Sequence, residues 1–271
     1  VKIKFWKMHG AKNDFVLIDD RTGMFPADDQ NFIRHLAARR SGIGAEGIVL
    51  IQPSRAADFF MRFYNPDGGE ADMCGNAARC TARLANELNI AGERMSIETA
   101  AGCLEAEILD ESRVQLRMTE PREWLLNEPL EMEEGQLTFS FVNTGVPHVV
   151  MRTGNLRETD VRTAGAAIRR HRRFAPAGAN VNFIEITPDG ALLIRTYERG
   201  VEDETPACGT GITAAGLIAA KNGWVELPVI VHAASGDVLT VDAELTGAGA
   251  KHVMLSGPTA HVYEGEIEYK E

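Results

Sequence analysis

Met73-Cys74-Gly75-Asn76-Ala77 and Ala207-Cys208-Gly209-Thr210-Gly211 carry the two Cys-Gly pairs of the chain, 134 residues apart. The same offset joins Gly44-Ala45 to Gly178-Ala179, Ala100 to Ala234 and Gly102 to Gly236, and an offset of 133 joins Arg62-Phe63-Tyr64 to Arg195-Thr196-Tyr197. Matches spread this widely read as two copies of one unit, each bringing one thiol. If the copies face each other about a pseudo-twofold axis, two cysteines on equivalent turns meet across one cleft. Opposed acid/base groups are what stereoinversion at carbon needs.

The chain has 271 residues, enough for two units of ordinary domain size, so each half can own a core. With 44% hydrophobic and 25% charged residues it reads as a soluble globular protein, and no apolar run approaches the roughly 20 residues of a membrane span. Val1 to Lys7 lacks the layout of a signal peptide, so a cytoplasmic location is the expectation. A net charge of −11 argues against nucleic acid as partner. The basic cluster Arg169-Arg170-His171-Arg172-Arg173 reads as a solvated face. Four cysteines in a chain this long make no disulfide scaffold, and their spacing suggests no metal site, so reduced thiols are expected.

Strands are expected at Lys2–Trp6 and Phe15–Asp19 around a turn from Met8 to Asp14, then a helix over Asp28–Arg40. Strands follow at Gly47–Ile51 and Asp58–Tyr64, with a polar loop Asn65–Glu70, a helix from Cys74 towards Ile90, and strands at Met95–Ala100, Cys103–Leu109 and Arg113–Met118. The second copy repeats the course: strands at Thr138–Asn143 and Val149–Arg152, a helix from Val161, strands at Asn182–Ile186 and Ala191–Tyr197, and an acidic loop. A helix from Cys208 stops before Gly223, and strands follow at Val229–Ala233, Asp237–Val241 and His252–Ser256. A last alternating segment, Val262–Tyr269, returns to the first unit. The junction near Thr119-Glu120-Pro121 reads as tight rather than as a tether.

Each helix start leaves backbone N–H groups without an intrahelical partner, at Gly75-Asn76 and at Gly209-Thr210. The helix dipole favours a thiolate there, while two close thiolates repel, so a pair sharing one proton is the expected state. One thiolate then removes a proton from an α-carbon and the opposite thiol returns one to the other face. The N–H groups supply donors for the charge that develops on the neighbouring carboxylate. Cys80 and Cys103 have no such partner and read as structural. Taken alone, His148 is packing, and Glu198 and Arg199 are surface charges whose interest lies in their place opposite Asn65 in the repeat.

Lys7-Met8-His9-Gly10-Ala11-Lys12-Asn13-Asp14-Phe15, Asn65-Pro66-Asp67-Gly68, Met73 to Arg79, Gly178 to Phe183, Tyr197 to Gly200 and Glu204 to Gly211 together resemble diaminopimelate epimerase across nearly the whole chain. The resemblance implies an α/β (α+β type) fold of two pseudo-symmetric domains, each a curved, mostly antiparallel sheet around a central helix, with the active site in the cleft between them. Their expected extents are 1–118, with a C-terminal strand 262–271 added, and 119–261. It further implies an isomerase of lysine and peptidoglycan-precursor biosynthesis, a homodimer, that uses no cofactor, no metal, no nucleic acid and no membrane. Carried over by motif, Cys74 and Cys208 are the acid/base pair, and Gly75, Asn76, Gly209 and Thr210 hold the reacting carboxylate. Asn13, Asn65, Asn180, Glu198 and Arg199 hold the other substrate groups, and His148 and Glu198 adjust the protonation of the cysteines. Gly47 and Val146 stand where many members have glutamine and asparagine, each removing an amide from the substrate shell. A related racemase of another amino acid, a binding protein without catalysis and a thiol redox protein are the competing readings.

Overall fold

The computed structural model describes residues 1–133 and 135–270, in two compact units. The first takes Val1–Leu116 and the chain from Gly257 onward, and the second takes Arg117–Ser256. The expected strand 262–271 and the expected span 119–261 each contain one residue, Glu271 and Glu134, outside the described residues.

In the first unit, β1 (Lys2–Gly10) and β2 (Asn13–Asp19) form an antiparallel hairpin. The strands run through most of the segment expected as a turn. Only Ala11 and Lys12 turn, both at positive φ (53° and 61°), the geometry of a tight two-residue hairpin. α1 (Gln30–Ala37) then crosses over to β3 (Gly47–Gln52), which pairs parallel to β2. β4 (Phe59–Tyr64) and β5 (Glu70–Ala71) follow antiparallel, α2 (Gly75–Glu87) crosses over, and β6 (Arg94–Thr99) pairs parallel to β4. β7 (Gly102–Ile108) and β8 (Arg113–Arg117) close the course, and the C-terminal strand Ala260–Glu268 lies antiparallel on β1.

The second unit repeats this pairing strand for strand. β10 (Gly135–Asn143), preceded by its antiparallel neighbour β9 (Arg122–Met132), pairs with β11 (Pro147–Arg152). α3 (Val161–Arg169) crosses over to β12 (Asn180–Ile186), parallel to β11, and β13 (Leu192–Glu198) and β14 (Asp203–Thr205) follow antiparallel. α4 (Gly209–Lys221) crosses over to β15 (Val229–His232), parallel to β13, and β16 (Val238–Leu245) and β17 (Ala250–Pro258) complete the sheet. The internal repeat is therefore one topology used twice, mostly antiparallel, with parallel pairs only where a helix intervenes.

Each unit wraps its curved sheet around one helix and keeps the other on the far face. α2 buries nine residues between Asn76 and Ala85, on all its sides, and α4 buries Gly211 to Ala220 without a break. α2 is enclosed although Asn76, Arg79 and Thr81 are among its buried residues, while α4, apolar nearly all round, is the kind of helix that belongs inside a core. Its alanines and glycines let strands approach from several directions. α1 and α3 instead bury one stripe each. Phe32, Ile33 and Leu36 pack with Phe5, Val16, Ile48 and Tyr64, while Val161 and Ile168 pack with Phe139, Val149, Val181 and Tyr197. Both outer helices are capped by an aspartate, Asp29 accepting from the Phe32 N–H and Asp160 from the Thr163 N–H. α1 is shorter than expected because Ala38 turns to extended backbone, and the loop that follows bonds back to Leu36 and Ala37 through Gly44 and Ala45.

The Arg169 to Arg173 cluster is largely exposed, as expected, with Arg170, Arg172 and Arg173 facing solvent, and is tied down by ion pairs. Arg169 and Arg170 both bind Glu202 (2.7 and 3.1 Å), Arg173 binds Glu128 (2.9 Å), and the Arg173 guanidinium lies over the Phe139 ring. No helix of the described residues is long and apolar enough to cross a membrane.

Candidate active site

Cys74 and Cys208 are the N-caps of α2 and α4, in nearly the same extended backbone (φ −135°, ψ 121° and φ −122°, ψ 109°). Neither side chain caps its helix, and neither first turn holds an acidic residue. The first intrahelical bonds are Ala78 N–H to the Cys74 carbonyl and Ile212 N–H to the Cys208 carbonyl. The preceding N–H groups of Gly75-Asn76-Ala77 and Gly209-Thr210-Gly211 therefore stay outside the helical ladder, aligned with the positive end of the dipole. Each unit thus presents a thiol beside an anion cradle.

Around Cys74 the neighbours come from the β1–β2 hairpin. Gly10 allows this approach: a Cβ there would sit 2.9 Å from the Asn76 carbonyl oxygen and 3.3 Å from the Cys80 sulfur. Asn13, opposite Gly10 in the hairpin, accepts at Oδ1 from the Cys74 thiol (3.8 Å) and from Asn76 Nδ2 (3.3 Å), and its own Nδ2 donates to Glu46. Asp14 beside it binds Lys7 (2.5 Å) and Arg39 (2.7 Å). Burial raises its pKa, but the hydrogen bonds from Arg39 and Lys7 outweigh this and hold the carboxyl below its ordinary range. Glu46 is shifted the other way, by burial and then by the Asp14 charge. Asn65 stands apart from this cluster in the exposed loop before β5, its N–H bonded to Gly69 O and its carbonyl to Gly68 N–H.

The helix that Cys208 opens, α4, packs against β10, β11, β12 and β13. Cys208 is only 9% exposed and its sulfur lies 3.4 Å from Thr210 Oγ1, while Thr144 Oγ1 donates to the Thr210 carbonyl. His148 lies on β11, fully buried, beside Asn180 across the parallel register. Asn182 Nδ2 donates both to Val149 O (3.0 Å) and to His148 Nδ1 (3.1 Å), and because the carbonyl can only accept, that nitrogen is the donor. His148 Nδ1 is then the acceptor and Nε2 carries the proton, without a partner among the described residues. Burial, reinforced by the Arg199 charge, pushes His148 down to about 3, so it is neutral at physiological pH. Gly211 connects this group to the thiol: a Cβ there would lie 2.3 Å from Asn182 Oδ1 and 3.4 Å from the Cys208 sulfur.

Asn180 is buried with both ends of its amide engaged, Nδ2 to Pro147 O and Oδ1 from the Arg199 N–H, so it anchors the Arg199 backbone. Glu198 ends β13 and accepts from Thr205 Oγ1 (2.7 Å); burial pushes its carboxyl up and that hydrogen bond partly restores it. Cys80 is fully buried, its thiol pushed up to about 12 by desolvation, which makes it inert. Cys103 is exposed on β7. Glu46, Arg79 and Asn182 also belong to these clusters, with Lys7, Asp14, Arg39 and Thr144 around them. Asn182 was legible as the same-face partner of Asn180 two residues on. At Gly47, a Cβ would come 2.4 Å from Phe63 Cε2, so the Phe63 ring occupies the space a longer side chain would need.

The family model for diaminopimelate epimerase matches residues 5–124 and 140–262. A diaminopimelate epimerase of Aquifex aeolicus (strain VF5) is 38% identical over 276 residues, covering 98% of each chain. In fold, a Bacillus anthracis phenazine biosynthesis protein of the PhzF family superposes over 99% of this chain and 100% of its own with a TM-score of 0.75 at 18% identity. A probable proline racemase from Agrobacterium radiobacter K84 does so over 99% and 93% with a TM-score of 0.71 at 18% identity. Two related units built by one topology, each opening a buried helix with a cysteine, thus accompany a sequence match of nearly full length, and the chain belongs to the diaminopimelate epimerase family.

Proposed function

We propose that this chain is a cofactor-independent isomerase interconverting LL- and meso-2,6-diaminopimelate. The supporting observation is the pair of thiols at equivalent helix starts, each next to first-turn N–H groups that no side chain caps. In this reading the two units are the two epimerase domains. One thiolate takes the α-proton, and the charge moves onto the α-carboxylate, where the N–H groups of Gly75-Asn76 and Gly209-Thr210 receive it. The thiol on the other face delivers its proton to the carbon. The product leaves with inverted configuration and the two sulfurs have exchanged protonation states, so the reverse reaction starts from the second cysteine.

The remaining roles follow from chemistry. Asn13 offers an oxygen to the substrate ammonium, Asn65 and Glu198 bind polar ends, and the Arg199 fork suits a distal carboxylate, with Asn180 holding its backbone. Neutral His148, with its proton on Nε2, tunes the Cys208 side as a donor and not as a cation. A cytoplasmic homodimer acting in lysine and peptidoglycan-precursor synthesis completes the proposal. The test is incubation of the reduced chain with LL-diaminopimelate in D2O without pyridoxal phosphate. Deuterium uptake at the α-carbon with appearance of the meso isomer is expected, and binding without exchange would overturn the reading.

A further inference from the structure

Among the described residues Arg79 is the largest side chain buried to completion, five residues on from Cys74 in α2. Its Nη2 donates to Asn76 Oδ1 at 2.6 Å. Asn76 Nδ2 donates to Asn13 Oδ1, Asn13 Nδ2 donates to Glu46, and the Cys74 thiol donates to the same Asn13 Oδ1. A guanidinium has donors only and an ionised carboxylate acceptors only. The chain of amides between them therefore runs in one direction. Reversing either amide would set oxygen against oxygen or nitrogen against nitrogen at both of its ends.

We propose that Glu46 and Arg79 are positioning residues for Cys74: together they lock Asn76 and Asn13 in the one orientation that places Asn13 Oδ1, an acceptor, against the thiol. A hydrogen bond accepted from S–H stabilises the neutral thiol. The ligand-free enzyme thus holds Cys74 protonated, and a substrate ammonium that takes Asn13 Oδ1 as its acceptor releases it. Position 213, equivalent to 79 in the repeat, is a buried threonine whose hydroxyl bonds to the Gly209 carbonyl, so the arginine end of this lock is not repeated at the helix that Cys208 opens. The two thiols, alike in backbone, are set apart by what orients their neighbours. The inference rests on Cys74 being an acid/base group of the proposed reaction.

The charged groups facing Glu46 are Asp14, Arg39 and Lys7, so the test separates charge from orientation. Alkylation of Cys74 by iodoacetamide is followed against pH by peptide mass spectrometry in the full chain, in Glu46→Gln and in Glu46→Asp. The aspartate keeps the charge and loses the reach to Asn13. Both variants are expected to lower the Cys74 midpoint by about 0.5 pH unit, seen as about threefold faster alkylation below it. A midpoint moved only by Glu46→Gln would make this a charge effect and overturn the proposal, as would no movement in either. The readout needs no turnover, so it stands or falls separately from the epimerase reading.

Discussion

Gly10 on β1 lies against the first turn of α2 so closely that a Cβ would meet the Asn76 carbonyl oxygen at 2.9 Å. The contact fixes how deep the hairpin sits, and with it the reach of Asn13 to Cys74. Gly10→Ala must push backbone against backbone. A loss of about 1–3 kcal/mol in urea denaturation is expected, together with slower Cys74-dependent proton exchange. Unchanged stability and exchange would show that the hairpin is not seated by this contact.

In the proposed mechanism, removing either sulfur takes away one of the two acid/base groups. Cys74→Ala and Cys208→Ala are each expected to lower epimerisation by about 10²–10⁴-fold, read by loss of meso product from LL substrate. Binding measured by calorimetry should persist, since the first-turn N–H groups remain.

His148 gives the protein an acid limit. Its folded pKa is depressed to about 3 from 6.5, so between these values the unfolded chain binds the extra proton and unfolding is favoured as pH falls. The stability it contributes is complete above the unfolded value and lost on acidification through that window, on the order of a few kcal/mol. His148→Gln, which keeps an acceptor for Asn182, is expected to flatten the acid limb of stability against pH by up to one proton. An unchanged slope would mean the imidazole finds another way to charge.

The four thiols should differ in reactivity by environment alone. Near pH 8, exposed Cys103 is expected to alkylate first, half-buried Cys74, its thiol bonded to Asn13, and buried Cys208 more slowly, and Cys80 not at all until the protein unfolds, because it is fully buried and pushed up to about 12. Peptide mass spectrometry after timed quenching reads the order directly.

Much of the architecture was legible from local pattern. Alternation marked most strands to within a few residues, and paired Cys-Gly steps marked the starts of the two buried helices. What escaped had little local signal. β9 carries Arg122, Glu123, Glu128 and Glu131 and is mostly exposed, so its alternation is faint. β5 and β14 have two and three residues, too short for a period. The ion pairs of the exposed basic run at the end of α3 escaped because its acidic partners lie 32 to 45 residues away in sequence.

By itself the sequence determined that the chain is a doubled unit, and which two sulfurs begin equivalent helices, because duplication leaves matched residues at a constant offset. Only the tertiary structure decided what each sulfur meets. Arg79 would ordinarily be read as exposed, yet folding encloses it and points it at Asn76; His148 would ordinarily be read as a cation at mildly acidic pH, yet enclosure keeps it neutral. Burial and hydrogen-bond direction belong to contacts between distant segments, and no local spacing encodes them.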